Sequence, residues 1–171
     1  MDNNAEFEFK KWLDIHNIPY WYIRQDLETF SSGLKKYFTK RPDFFLLIPN
    51  FGFILIDIKD KKSAEKYEKF FIDSDEVEKY LNLQRIFNLQ MWFVLSNEDY
   101  HYKTWFWIPM SKIAKTGLFF QSKDKGNMCY SIPISEFIQV SYDDSLERVF
   151  TKFLILPQEI LGFQANEWIA V

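Results

Sequence analysis

The sequence predicts a mixed α/β fold, a central mixed β-sheet flanked by helices, and three observations carry that expectation. Segments with a 3.6-residue apolar period alternate with short β-type runs in the order helix, three strands, helix, strand, an αβββαβ core. Apolar residues make up 47% of the chain and aromatic residues 20%, with six Trp and nineteen Phe, enough to fill a core without metal or disulfide staples. The 171 residues suit a single domain spanning 1–171, and no linker, low-complexity tract or strong repeat divides them.

Residues 4–16 predict the first helix, because Ala5, Phe9, Trp12, Leu13 and His16 recur on one helical face. Asn3 or Asn4 is available as an N-cap, and Asn17 and Pro19 end the segment. Tyr20 to Gln25 (YWYIRQ) is aromatic and β-branched enough for a strand, and LETFSSGLKK reads as a polar loop turning at Gly33. Phe44 to Ile48 and Phe53 to Lys59 then form a hairpin around IPNFG.

Asp73 to Gln90 carries the clearest helical pattern. Asp73 with Glu76 three residues on resembles a capping box, and Val77, Tyr80, Leu81 and Phe87 form an apolar stripe that also contains Gln84. A polar amide on that stripe needs a partner, either as a satisfied buried hydrogen bond or in support of a site. Met91 to Ser96 (MWFVLS) has no polar face of its own and suits a buried strand. Residues 104–109 and 128–134 predict further strands, and Ser145 to Leu156 a helix. The fragments WIPMSKI (107–113) and SIPISEF (131–137) read as two strand ends with similar exits rather than a duplicated module. The apolar tail ILGFQANEWIAV is expected to dock on the domain.

Several functional classes find no support. The longest apolar stretch, Phe44 to Ile56, is thirteen residues broken by Pro49, Asn50 and Gly52, too short and too interrupted to cross a bilayer. Cys129 is the single cysteine and the N-terminus lacks a basic start and apolar middle, so a reducing, cytoplasmic location is the default expectation. His16 and His101 stand too far apart to suggest a zinc site, Cys129 shows no sign of activation, and no Gly-rich phosphate loop is present. Trp105, Phe106 and Trp107 are candidates to stack on bases, with core packing the stronger reading in a chain this rich in Phe.

The chemistry concentrates in KRPDFFLLIPNFGFILIDIKDKK, residues 40–62. Side chains alternate along a strand, so Asp57 and Lys59 point one way while Ile54, Ile56 and Ile58 point the other. With a loop of 49–51, residue 43 pairs with residue 57 and both acids share a face, whereas an even loop separates them. Gly52 offers the positive φ that such odd loops commonly demand. Two carboxylates beside a lysine make a hard, oxygen-rich site suited to Mg²⁺ or Mn²⁺ and to metal-assisted phosphodiester hydrolysis. The acid-x-Lys tripeptide alone is weak, since Glu8-Phe9-Lys10 and Asp60-Lys61-Lys62 share it; Pro42-Asp43 occurs once.

That constellation resembles the PD-(D/E)xK nuclease superfamily of restriction endonuclease-like folds, and within it the compact resolvase-like and restriction-like members. The matching parts are Pro42-Asp43, a hairpin, Asp57-Ile58-Lys59, a preceding helix with a glutamate, and a following helix and buried strand, over about residues 4–96. Residues 97–171 then form a C-terminal extension. The resemblance implies that Asp43 and Asp57 hold the divalent ion, that the backbone of Ile58 assists, and that Lys59 acts in catalysis. It implies a further metal-site glutamate on the first helix, Glu6 or Glu8. Glu6 is weakly favoured, because Glu8 has Lys11 three residues on as a solvated partner. Gln84 sits where many members place a polar residue.

Net charge is −3, which argues against coating nucleic acid through bulk electrostatics. Between Thr29 and Lys69, however, nine basic residues face five acidic ones. Lys35, Lys36, Lys40, Arg41, Lys61 and Lys62 are the candidate phosphate contacts of a metal-dependent endonuclease acting on DNA, for which a homodimer is plausible because a duplex has two strands. The competing expectation is a non-catalytic subunit that keeps the fold to bind nucleic acid or a protein.

Overall fold

The computed structural model describes residues 4–26, 30–48, 52–63, 68–122, 126–146 and 149. Apart from Ser145, Leu146 and Val149, the helix expected over 145–156 lies outside the described residues, as does the apolar tail. Along the chain run α1 (Asn4–Ile15), β1 (Tyr20–Tyr22), α2 (Ser32–Lys35), β2 (Phe44–Ile48), β3 (Gly52–Asp60), β4 (Lys69–Asp73) and α3 (Ser74–Phe87). There follow β5 (Met91–Ser96), β6 (Thr104–Pro109), α4 (Met110–Thr116), β7 (Leu118–Gln121), β8 (Met128–Pro133) and β9 (Ile138–Ser141). No helix among the described residues is long and apolar enough to cross a membrane.

Six strands form the expected mixed sheet in the order β1-β2-β3-β5-β6-β9. The β3–β5 pair is parallel and its neighbours are antiparallel. A parallel pair needs a crossover, and α3 supplies it, lying on one face of the sheet. β5 is buried at all six positions, which is why its sequence has no polar alternation. β6 and β9 complete the main sheet from residues beyond 96, so the second half of the chain belongs to the same layers.

Two cores sit on opposite faces. Phe44, Leu46, Ile54, Ile56, Ile58, Trp92, Trp105 and Trp107 meet Ala5, Phe9, Trp12 and Leu13 of α1. Burying a side chain of Phe or Leu size is worth about 1.5–3 kcal/mol, so this stripe rather than helix propensity holds α1 in place. The helix ends where Asn17 turns left-handed at φ 52° and Ile18 N–H reaches back to the Leu13 carbonyl at 3.0 Å. On the other face, Leu55, Phe93, Leu95, Phe106 and Ile108 pack against Val77, Tyr80 and Leu83 of α3, with α4 beyond.

Three features differ from the sequence expectation. Ser31 accepts from Leu34 N–H and caps the short helix α2 inside the stretch read as a polar loop. The first strand stops at Tyr22, although Ile23 N–H still donates to the Asp43 carbonyl at 2.8 Å. A second, antiparallel sheet of order β4-β8-β7 covers α3 and α4, with Phe70, Ile72 and Ile132 turned into the second core. The two similar fragments do end strands with like exits: β6 runs through Pro109 into α4, and β8 through Pro133 into a 3₁₀ turn at Ile134–Glu136.

Phe9 lies between Trp12, Phe44 and Trp105, with ring centroids 5.1–5.6 Å away, and is fully buried. Phe9→Ala is expected to cost about 3–5 kcal/mol, read as a lower urea midpoint with an unchanged m value. A midpoint within experimental error of wild type would contradict this packing.

Candidate active site

The register of the β2–β3 hairpin places the acids. Ile48 pairs with Gly52 across residues 49–51, and the ladder runs without a slip to Phe44 opposite Ile56. Asp43 N–H continues it, donating to the Ile56 carbonyl at 2.9 Å, so Asp43 comes opposite Asp57 on one face. Gly52 has φ 115°, a conformation L side chains rarely adopt. Asp43 is 8% exposed and Asp57 2%. Both face the α3 side, away from Ile54, Ile56 and Ile58.

Each carboxylate is oriented. Asp43 Oδ2 accepts from Ile58 N–H at 2.7 Å, and its Oδ1 from Gln25 Nε2 at 3.1 Å. Asp57 Oδ1 accepts from the Tyr80 hydroxyl, and its Oδ2 lies 2.7 Å from Lys59 Nζ. Lys59 Nζ also donates to Glu76 Oε1 at 2.9 Å, and Lys40 Nζ donates to the same oxygen. A chain of charges, Asp57–Lys59–Glu76–Lys40, thus runs from β3 onto the first turn of α3.

Burial and like charge act on the first acid. Desolvation, followed by the Asp57 charge, raises the Asp43 carboxyl from 3.8 to about 8 against the Ile58 N–H, which favours ionisation. For Lys59, burial works to lower the pKa, but the charges of Asp57 and Glu76 outweigh it and hold the ammonium above its ordinary value. Glu76 shows the same balance with the opposite sign: burial opposes ionisation, Lys59 and Lys40 favour it, and the carboxyl falls to about 2. Burial, then the Asp57 charge, pushes the Tyr80 hydroxyl well above 10. Tyr80 therefore serves Asp57 as a donor.

Of the two helix glutamates, Glu6 belongs with this cluster. Its charge adds to the upward pressure on Asp43, and its Oε1 is buried without a hydrogen-bond partner among the described residues. Glu8 instead forms an exposed ion pair with Lys11 at 2.8 Å. Gln84 stands two turns beyond Glu76 on α3 and its amide oxygen accepts from Met91 N–H at 3.1 Å, tying the helix to the start of β5. The structure does not bring it to the acids. Glu76 and Tyr80 are the functional-looking residues that the sequence reading passed over. Glu76 looked like half of a capping box and Tyr80 like core, yet Asp73 caps α3 through Asp75 N–H alone and Glu76 turns to the lysines.

The proposed phosphate contacts divide in the same way. Arg41 donates to the carbonyls of Asp26 and Gln25, Lys61 to the Phe71 carbonyl at 2.6 Å, and Lys62 lies 3.2 Å from Asp99. Lys40 is held by Glu76. Lys35 and Lys36 are exposed on and beside α2, with no ion pair among the described residues.

The donor set fits a hard divalent ion. Two buried carboxylates repel each other, a strain that a cation relieves. Among the described residues no three acid, His or Cys side chains converge closely enough to enclose a metal. A strand residue's N–H and C=O leave on one side, so the Ile58 carbonyl faces the same flank as the N–H that meets Asp43.

A pH dependence follows for the metal-free protein. Because Asp43 binds its proton more tightly folded than unfolded, stability is undiminished below about pH 4, falls as pH rises towards 8, and levels off above. Urea unfolding in EDTA between pH 5 and 9 is expected to show this decline, with Asp43→Asn lacking it, so that its advantage over wild type widens from pH 5 to pH 8. Equal slopes in the two proteins would remove Asp43 as the cause.

No protein-family model matches the sequence. No curated protein matches it either. Solved structures do. The chain is similar to Hjc, a Holliday junction resolvase from the archaeal hyperthermophile Archaeoglobus fulgidus, with a TM-score of 0.52 at 15% identity, covering 81% of this chain and 93% of that one. It is also similar to D212, a nuclease from a fusselovirus, with a TM-score of 0.43 at 16% identity, covering 94% and 91%. Identities this low speak for architecture, and the resolvase likeness agrees with the sheet order and flanking helices seen above: the chain has a restriction endonuclease-like fold.

Proposed function

We propose that the protein is an Mg²⁺- or Mn²⁺-dependent endonuclease that hydrolyses phosphodiester bonds of DNA. The observation that carries this reading is the pairing of Asp43 with Asp57 on one sheet face, with the Lys59 amine 2.7 Å from the second acid. The solved Holliday junction resolvase that shares the fold supports phosphodiester chemistry as the use of such a face.

Asp43 and Asp57 would hold the ion, with the Ile58 carbonyl on the same flank and the Glu6 charge acting on the site from α1. When bound, the ion supplies charge neutralisation at the phosphate and a lower pKa for water. Gln25 and Tyr80 keep the two aspartates in their rotamers, so the ligands are set before substrate arrives. Lys59 stays protonated between Asp57 and Glu76. Its part is therefore that of a fixed cation beside the reacting phosphate, stabilising negative charge as it develops, rather than that of a proton acceptor. Glu76 and Lys40 fix where that cation points.

Incubating plasmid, linear, branched and single-stranded DNA with Mg²⁺, Mn²⁺ or EDTA tests the reading. Metal-dependent cutting by wild type is expected, with Lys59→Ala reduced about 10²–10³-fold and Asp57→Asn reduced at least as far. Cutting that is equal in all three proteins, or that persists in EDTA, would refute it. Folded protein that never cuts any substrate would favour a binding subunit that keeps the fold. Glu76→Gln should leave metal binding by calorimetry near wild type while lowering kcat, since it acts on Lys59 and not on the acids.

A further inference from the structure

The rings suggested by sequence for base stacking, Trp105, Phe106 and Trp107, are buried in the sheet. Two others stand out at the site's rim. Tyr37 is 56% exposed and Phe38 48%, directly after Lys35 and Lys36, which form no ion pair among the described residues. They lie in the turn that closes α2, where Tyr37 N–H donates to the Leu34 carbonyl and Phe38 N–H to that of Lys35.

Phe38 occupies an unusual backbone state for an aromatic residue. Its φ is 50°, in the left-handed region where a glycine or asparagine would sit at lower cost. The conformation is held from α3, since Asn82 Nδ2 donates to the Phe38 carbonyl at 3.2 Å and Lys79 Nζ lies 5.0 Å over the ring. The result is a ring backed by a cation, with nearly half its surface left in water. The turn also sits close to the chemistry. Lys40, two residues on, binds Glu76 and lies 5.5 Å over the ring of Tyr80, the donor to Asp57. Two residues span about 7 Å, about two nucleotides of a stacked strand.

From this juxtaposition we infer that Tyr37 and Phe38, flanked by Lys35 and Lys36, form a platform on which unpaired nucleotides stack beside the cleaved bond, so that the substrate has single-stranded character there. The inference rests on the nuclease reading for the position of the cut, though the binding itself does not. Exposed aromatic rings next to exposed lysines suit a nucleic acid strand, because the rings take any base face and the amines take the backbone. A paired duplex keeps its base faces covered and gains nothing from the rings.

Binding measured in EDTA separates the two ideas. Fluorescence anisotropy with a labelled single strand, a duplex of equal length and a duplex with a single-stranded arm is expected to show wild type preferring the first and third. Tyr37→Ala with Phe38→Asn, which keeps a residue tolerant of the left-handed turn, should weaken those two at least about fivefold and leave the duplex unchanged. Phe38→Trp should restore binding. Lys35→Ala with Lys36→Ala should weaken all three probes alike and flatten the salt dependence. Equal affinity of the ring variant and wild type for the single strand would overturn the inference, even if metal-dependent cutting is found. Ring-dependent binding without cutting would sustain it and sink the nuclease reading instead. Sedimentation that shows a wild-type dimer lost in the ring variant would assign the patch to a second copy of the chain and overturn it.

Discussion

The closeness of two carboxylates across one hairpin is the constraint on which the site depends. Moving β2 by one residue against β3 would send Asp43 to the α1 face, into contact with Phe9 and Trp12 rather than Tyr80 and Lys59. The register is held from both ends: by the positive-φ Gly52 opposite Ile48, and by Ile58 N–H on Asp43 Oδ2 at the mouth. The greasy face contributes as well, since Phe44, Leu46, Ile54 and Ile56 all reach the first core only in this alignment.

Holding acids together costs stability, and the fold spreads that cost. One acid, Asp43, has its ionisation suppressed, while the other is matched by Lys59. Lys59 in turn is shared with Glu76, and Glu76 with Lys40, so positive and negative groups alternate from the strand to the helix. Such an arrangement leaves little net charge at the cluster yet fixes every side chain in it. A buried ion pair is poor evidence of stability, because removing two charges from water is expensive. Its retention here fits a use in orientation.

Much of this was legible in the sequence, and what was missed has identifiable causes. The helix at 4–16, the hairpin and the buried strand at 91–96 follow from periodicity of 3.6 or 2, whereas the pairing of Asp43 with Asp57 holds only for an odd loop, which the register of the structure supplies. Those rules are local. Glu76 escaped because a capping box and an ion pair to a distant lysine look alike along the chain, and only the packing of α3 on β3 distinguishes them. The small sheet escaped because β4 and β7 are four or five residues long and gain their partner, β8, from across the fold. The phosphate contacts show the same limit: Arg41 and Lys61 are basic in sequence and committed to backbone carbonyls in space.

That commitment bears on how an acidic protein would engage a polyanion. Affinity through counterion release grows with the number of lysines and arginines free to meet phosphates. Here Lys40, Lys59 and Lys62 are in ion pairs and Arg41 and Lys61 bond carbonyls, so few of the cations near the acids can take that part. Long-range attraction is correspondingly weak. On the nuclease reading, contact with substrate then falls to short-range terms, namely an ion between the acids, the Lys59 ammonium, and rings left open at the rim. Such terms act only over a few ångströms, and they reward a substrate whose shape matches the site more than one that merely carries charge.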